Sequence, residues 1–265
     1  MDDLEGRVAV IFGAGSGIGA ATARAFAGAG IHVVVADIDA DRALAVVDEL
    51  ETIGVEGLAC QCDVTRAENL EAVRDAALER FGRVDIVMNN VSVIAAGAFT
   101  DIPWSEWERA IDVNLLAYVR SLQIFVPLLI EWGDGHIVNT ASTAGLYPYT
   151  ADRLPYVATK SAIVGLSEAL ALDLVPRGVG ITCLCPGPVA TNIFEQMRFY
   201  GDATRVRPPA LPILDPEVVG EMVLGAVRAG TFLLVTHPEV HDILVRRATD
   251  PEGFLAEQIR SMQDS

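Results

Sequence analysis

The chain has 265 residues, 51% of them hydrophobic and 21% charged, values that exclude a disordered chain and allow one domain or a tight pair. Lysine and arginine number 19 against 36 aspartate and glutamate, and the net charge of −17 opposes both a phosphate backbone and an anionic membrane surface. The start, Met1-Asp2-Asp3-Leu4-Glu5, is acidic where a secretory leader would be basic and then apolar. No uncharged apolar run reaches the roughly 18 residues of a membrane span. A cytoplasmic location is expected, with neither a membrane nor a nucleic-acid partner.

Short apolar runs rich in Val and Ile fall at 8–12, 31–36, 57–61, 86–88, 136–140, 180–185 and 231–235. Most are continuous rather than alternating in polarity, the pattern of strands covered by helices on both faces. Between them, residues 40–53, 67–81, 104–132 and 156–175 have helical period. This alternation predicts one α/β domain, a Rossmann-type doubly wound parallel sheet of about seven strands with helices on both faces. Residues 191–216, with aromatics and Pro208-Pro209, break the rhythm and are expected to form a substrate-loop insertion. The four cysteines form two Cys-x-Cys pairs, Cys60/Cys62 and Cys183/Cys185. A four-thiolate zinc site would need the pairs to meet, but neither has the usual ligand spacing or nearby turn residues, so reduced core cysteine is preferred and no metal is expected. His237 and His241 are spaced as on a helix but are not in the H-E-x-x-H order.

Directly after the first strand stands Gly13-Ala14-Gly15-Ser16-Gly17-Ile18-Gly19, followed by the helix-forming Ala20-Ala21-Thr22-Ala23-Arg24. Glycines there let the backbone turn tightly and approach a pyrophosphate, which rests on the free N–H groups of a helix N-terminus. The strand–turn–helix placement, with Asp37 ending the second strand 18 residues after Gly19, makes a common pattern specific. Two registers fit, Gly13/Gly17/Gly19 and Gly15-x-Gly17-x-x-Ala20; the first is preferred because Phe12 still belongs to the strand. A carboxylate at Asp37 accepts hydrogen bonds from the adenosine ribose and repels a 2′-phosphate. Ile38 follows it, no cation lies in the turn, and Arg42 falls on the next helix, so NAD is expected over NADP. Asp39 suits the N-cap of that helix better than Asp37.

Tyr156-Val157-Ala158-Thr159-Lys160 puts a phenol and an ammonium on one helical face. A phenol of pKa near 10 serves as an acid/base at neutral pH only if its phenolate is stabilised, and a neighbouring ammonium supplies that. Together with the glycine turn, Asp63-Val64, Asn89-Asn90, Asn114, Ser142 and Pro186-Gly187-Pro188-Val189-Ala190-Thr191, this makes the chain resemble the short-chain dehydrogenase/reductase family over nearly its whole length.

The resemblance implies that Tyr156 is the general acid/base and that Ser142 hydrogen-bonds the substrate oxygen. It implies that Lys160 holds the nicotinamide ribose and lowers the tyrosine pKa, and that Asn114 positions a water leading to Lys160. Gly13, Ser16, Gly17, Ile18, Gly19, Asp37 and Ile38 would meet the cofactor. Asp63 and Val64 would line the adenine site, and Asn90 would support the cofactor backbone. Val189 and Thr191 would meet the carboxamide, with Pro186 and Gly187 also assigned to the cofactor. The chain departs from the family at Phe12, where Thr is usual, and at Val91-Ser92, where Ala-Gly is usual; the larger pair is expected to shift the backbone beside the cofactor.

The loops after the strands are apolar and aromatic, and Ser142, Val93, Tyr147, Tyr149, Tyr156, Phe194 and Met197 are the expected substrate contacts. They suit a bulky apolar secondary alcohol or ketone such as a terpenoid, steroid or aryl carbinol. Arg153, Arg198, Arg205 and Arg207 are within reach of a carboxylate in sequence terms, although surface exposure is the commoner fate of arginine. One alternative is a 3-oxoacyl thioester reductase, disfavoured by Asp37 because such reductases generally use NADPH. Another is a catalytically idle nucleotide-binding module, disfavoured by the intact Ser-Tyr-Lys-Asn set. Residues 104–132 and 156–175 are apolar around their circumference and need a second buried surface. In the family resembled, the equivalent helices meet their symmetry mates, so a homodimer or, more readily, a homotetramer is expected.

Overall fold

The first apolar run forms β1 (Val8–Phe12), and its side chains alternate between two cores. Ala9 and Ile11 face one side of the sheet, while Val8, Val10 and Phe12 face the other. The structure is a computed structural model describing residues 1, 3–204 and 206–263, the side chain of Phe194 excepted. Arg205, one of the arginines singled out above, and the Phe194 substrate contact therefore lie outside the described residues.

From β1 the chain runs through α1 (Gly17–Gly28), β2 (His32–Asp37), α2 (Ala40–Ile53), β3 (Gly57–Gln61), α3 (Ala67–Phe81) and β4 (Ile86–Asn89). The tiny β5 (Ala95–Ala96) precedes α4 (Trp104–Ile111), a single π turn (Asp112–Leu116) and α5 (Ala117–Trp132). Then come β6 (Gly135–Thr140), α6 (Leu154–Leu174), β7 (Val179–Cys185), β8 (Arg198–Phe199), α7 (Pro216–Ala229), β9 (Leu233–Val235), α8 (Val240–Thr249) and α9 (Pro251–Gln263). Seven strands pair in parallel in the order β3-β2-β1-β4-β6-β7-β9, as a Rossmann-type sheet requires. Phe26, Leu50 and Val223 from α1, α2 and α7 cover one face; Leu70, Phe125 and Leu174 from α3, α5 and α6 cover the other.

Three differences from the sequence expectation have local causes. Residues 231–235 yield a strand only from Leu233, because Thr231 donates its amide to Ala226 at 2.9 Å and closes the end of α7. The expected helix 104–132 is interrupted at the π turn. As a continuous stretch it is long and apolar enough to cross a membrane, but here α5 packs on α3 and β6. The pairing of β5 with β8, two residues each, has no periodic signature at all. The two cysteine pairs lie at β3 and β7 with four strands between them. At ordinary strand spacing that is about 24 Å, so the pairs cannot form one tetrathiolate site. Cys183 and Cys185 share a face, their sulfurs 3.8 Å apart. His237 is held by Thr236 and by the carbonyl of Pro212, each at 2.8 Å.

The chain leaves β1 toward β2 and β3, then returns to place β4 on the other side of β1. Connections diverge at that point, and a crevice opens at the carboxyl ends of β1 and β4.

Candidate active site

Phe12 is the last residue of β1, and the turn begins at Gly13, with φ 76°, followed by Gly17 at φ 53°. Both values lie in the left-handed region that glycine enters without a steric penalty. A Cβ at Gly19 would collide with the carbonyl of Gly13, so the turn needs glycine there too. Gly15 has a separate reason: its amide donates to Asp37 Oδ2 at 2.8 Å, and a Cβ would press on the Asp37 carboxyl carbon at 2.8 Å. The two sequence registers thus describe different duties of one loop. Ser16 takes the N-cap position of α1 in extended conformation without capping it through its side chain, which leaves the first turn of Gly17, Ile18 and Gly19 uncapped.

Asp37 ends β2, and its other oxygen accepts from the Asp39 amide at 3.0 Å. Asp39 caps α2 by accepting from Asp41 and Arg42 at 3.1 Å. Arg42 lies on α2 and faces Asp39 at 3.3 Å and Glu195 at 3.7 Å. Ile38 projects into solvent, 67% exposed. Beyond β3, Asp63 accepts from the amide and hydroxyl of Thr65 at 3.0 and 2.7 Å, and Val64 is buried. Asn90 ties three strands together: Nδ2 donates to Gly13 O at 3.2 Å, Oδ1 accepts from Thr140 at 3.1 Å, and its amide reaches Phe12 O at 3.2 Å.

The departures from the family pattern now have places. Phe12 points into the core and meets Phe125 edge-on at 5.9 Å, away from the crevice. Val91 closes over Gly13, where a Cβ would be 3.0 Å from its Cγ1. At the far wall, Thr191 lies over Gly17, with its methyl 3.0 Å from a Cβ built there. Val189 bridges to Leu214, Pro186 O accepts from the Thr143 amide at 2.9 Å, and Gly187 packs against the His237 ring.

Lys160 is fully buried, and its ammonium donates to Thr140 O at 2.7 Å and to the Tyr118 hydroxyl at 3.3 Å. Tyr118 in turn lies 3.0 Å from Val91 O and 3.1 Å from Thr140 O. The ammonium sits 5.8 Å from the centre of the Tyr156 ring, and the phenol bonds instead to Ser142. Burial pushes the Tyr156 phenol up to about 12 against the opposing Ser142 bond, and burial brings Lys160 down to about 7. Asn114 sits in the π turn, where its side chain pairs with the Val93 backbone like a short strand: Oδ1 accepts from Val93 N at 2.8 Å and Nδ2 donates to Val93 O at 3.0 Å. Nδ2 also reaches Thr159 Oγ1 at 3.2 Å, one residue from Lys160. A π turn rotates side chains off the regular helical row, and such turns are frequent at functional sites.

The family model for short chain dehydrogenases matches residues 7–199. The chain belongs to the short chain dehydrogenase family. A (2S)-[(R)-hydroxy(phenyl)methyl]succinyl-CoA dehydrogenase subunit, BbsD, of Thauera aromatica is 34% identical over 97% of this chain and 94% of its own. Cyclohexanol dehydrogenase of Acinetobacter sp. (strain SE19) is 35% identical over 82% of this chain and 86% of its own. A crystal structure of a short chain dehydrogenase/reductase from Burkholderia phymatum in complex with NAD superposes with a TM-score of 0.85 at 32% identity, covering 95% of this chain and 96% of that one. The protein is therefore an oxidoreductase of this family.

In this short chain dehydrogenase, Met197 packs with Ile94 and Ala96 in a small apolar cluster that Tyr156 joins. Tyr147 and Tyr149 stand 5.4 Å apart, and Tyr147 is buried among Ala141, Leu146 and Ile163, which leaves Tyr149 the more open of the two. Val93 is half-buried and held by Asn114. Arg198 is exposed and pairs with the buried Glu106 at 2.7 Å; Arg153, contrary to the usual fate of arginine, is buried. One residue of the site escapes the sequence reading: Tyr118, whose only signal is its place four residues after Asn114. Gly15 enters that reading only in the rival register, and Arg153 only as one of four arginines that could meet a carboxylate.

Proposed function

We propose that this protein transfers a hydride between NAD(H) and a bulky apolar secondary alcohol or ketone, with Tyr156 as general acid/base. The observation that carries this reading is the convergence of Ser142, Tyr156 and Lys160 beside a glycine turn whose Gly15 amide engages Asp37. NAD, when bound, supplies the hydride acceptor. The turn fits a pyrophosphate because Gly19 has no room for a Cβ and no side chain caps α1. Gly13, Ser16, Gly17, Ile18 and Gly19 would hold the phosphates, and Asp37 and Ile38 the adenosine. Asp63 and Val64 would border the adenine, with Asn90 bracing the turn. Pro186, Gly187, Val189 and Thr191 would hold the nicotinamide end.

In alcohol oxidation, Ser142 holds the substrate oxygen and the phenolate form of Tyr156 takes the hydroxyl proton, becoming a phenol; in reduction, the neutral phenol gives that proton to the substrate oxygen. A protonated Lys160 brings positive charge to the phenol and, through Thr140 and Tyr118, fixes its own position. Asn114 keeps Val93 and the start of α6 in register with this group. The apolar surroundings of Tyr156, with Met197 and Ile94, favour an uncharged substrate face. The names of the relatives, an aryl carbinol thioester dehydrogenase and a cyclohexanol dehydrogenase, support the alcohol class. The outer row of α6, where the small or apolar Ala158, Gly165, Ala169 and Leu172 are exposed beside Ser161 and Glu168, supports a dimer or tetramer.

The test is kcat/KM for NAD and NADP with a panel of cyclic and aryl secondary alcohols. NAD should lead clearly, because a 2′-phosphate would face the Asp37 carboxylate while Arg42 is engaged by Asp39 and Glu195. Asp37→Ala combined with Ile38→Arg should move the preference toward NADP. Equal values for the two cofactors in the parent protein would refute the assignment.

A further inference from the structure

Arg153 stands one helical turn before Tyr156, at the N-terminal boundary of α6, and is 6% exposed. Its guanidinium lies 5.6 Å from the centre of the Tyr149 ring, its Nε is 3.1 Å from Asp152 Oδ1, and its Nη2 donates to the carbonyl of Arg207. Asp152 holds Arg207 from the other side, since its Oδ2 accepts from the Arg207 amide at 2.6 Å. The same carboxylate accepts from Thr150 at 2.6 Å, and the Asp152 carbonyl accepts from Gly97, just after β5, at 2.8 Å. Arg207 continues the chain of contacts through Nη2 to Ser261 Oγ at 2.9 Å and Ser261 O at 3.1 Å on α9.

An exposed Arg–Asp pair contributes little, whereas a buried guanidinium is tolerated only with good partners. Here the partners are the backbone donor and acceptor of one residue, Arg207, so the pair grips that residue as a strand neighbour would.

We propose that Asp152 and Arg153 are positioning residues that fasten Arg207, in the segment following β8, to the start of α6. Substrate fit and the helix that carries Tyr156 are then coupled through one ion pair, its guanidinium buried and its carboxylate partly exposed. The part concerning substrate fit rests on the function proposed above.

Hydrogen exchange of the Arg207 amide, which needs no turnover, tests the proposal on the full chain. Arg153→Met should speed that exchange at least tenfold. Arg153→Lys keeps the charge but not the reach to Arg207, so its exchange should speed up as well. Asp152→Ala should do the same by removing the acceptor of the amide. Unchanged exchange in all three variants overturns the grip. With cyclohexanol and NAD as the probe reaction, Arg153→Lys should raise KM more than it lowers kcat, and a loss confined to kcat overturns the coupling to substrate fit. Absence of turnover in the parent protein would count against the proposed function, while exchange would still decide the role of this pair.

Discussion

At the scale of single residues, the site is governed by burial. Lys160 is bonded to the Thr140 carbonyl and the Tyr118 phenol, with no carboxylate paired to it among the described residues, and burial brings its pKa to about 7. Tyr156 is pushed the other way, to about 12, so the protein holds a neutral phenol and a lysine easily discharged. Proton transfer through a positioned side chain typically contributes about 10²–10⁴-fold to rate. Tyr156→Phe should therefore lose turnover in that range, while NADH binding, followed by its fluorescence, stays near that of the parent because the phenol is not part of the phosphate turn. Near-native kcat in this variant would refute Tyr156 as the acid/base.

At the scale of elements, β6 joins the site to the sheet. It presents Thr140 to Lys160 at one end and buries His136 at the other, where Nε2 is 2.8 Å from Thr182 Oγ1 on β7. Burial lowers His136 from 6.5 to about 4, with a smaller push from the chain's N-terminal charge. The unfolded chain takes up this proton below pH 6.5 and the folded one only near pH 4, so the stability tied to a neutral His136 is complete above 6.5 and is lost as pH falls through that window. The full shift corresponds to about 3 kcal/mol. Urea unfolding between pH 7.5 and 4.5 should show the parent losing about that much more than His136→Gln, in which the proton site is gone. Parallel losses in the two proteins would contradict the assignment.

At the scale of the whole molecule, the exposed row of α6, Ala158, Ser161, Gly165, Glu168, Ala169 and Leu172 with Asp173 at its edge, runs along a helix whose other faces are covered by the chain itself. Leu172 is 82% exposed, which settles the side of the helix it occupies. A carboxylate placed in an apolar interface carries a desolvation cost that an exposed surface does not impose. Sedimentation velocity at micromolar concentration should give a dimer or tetramer for the parent, and Leu172→Glu should shift it toward a monomer of 28.3 kDa without loss of helicity. A parent protein that sediments as a monomer would end the assembly proposal.

What the sequence determined by itself is whatever depends on near neighbours along the chain. Hydrophobic period distinguishes a strand from a helix within a few residues, and that was enough for the alternation, the parallel sheet and the bounds of α2 and α3. Glycine's freedom and the i,i+4 geometry of Tyr156 and Lys160 are likewise local, so the turn and that pair were legible before any contact was known. The tertiary structure decided the rest. Asn114 against Val93, Tyr118 against Lys160 and Asp152 with Arg153 around Arg207 are bonds between segments brought together only by folding. The π turn that aims Asn114, the two-residue β5 and β8, and the inward turn of Arg153 leave no periodic trace, because each is stabilised by partners far along the chain rather than by its own neighbours.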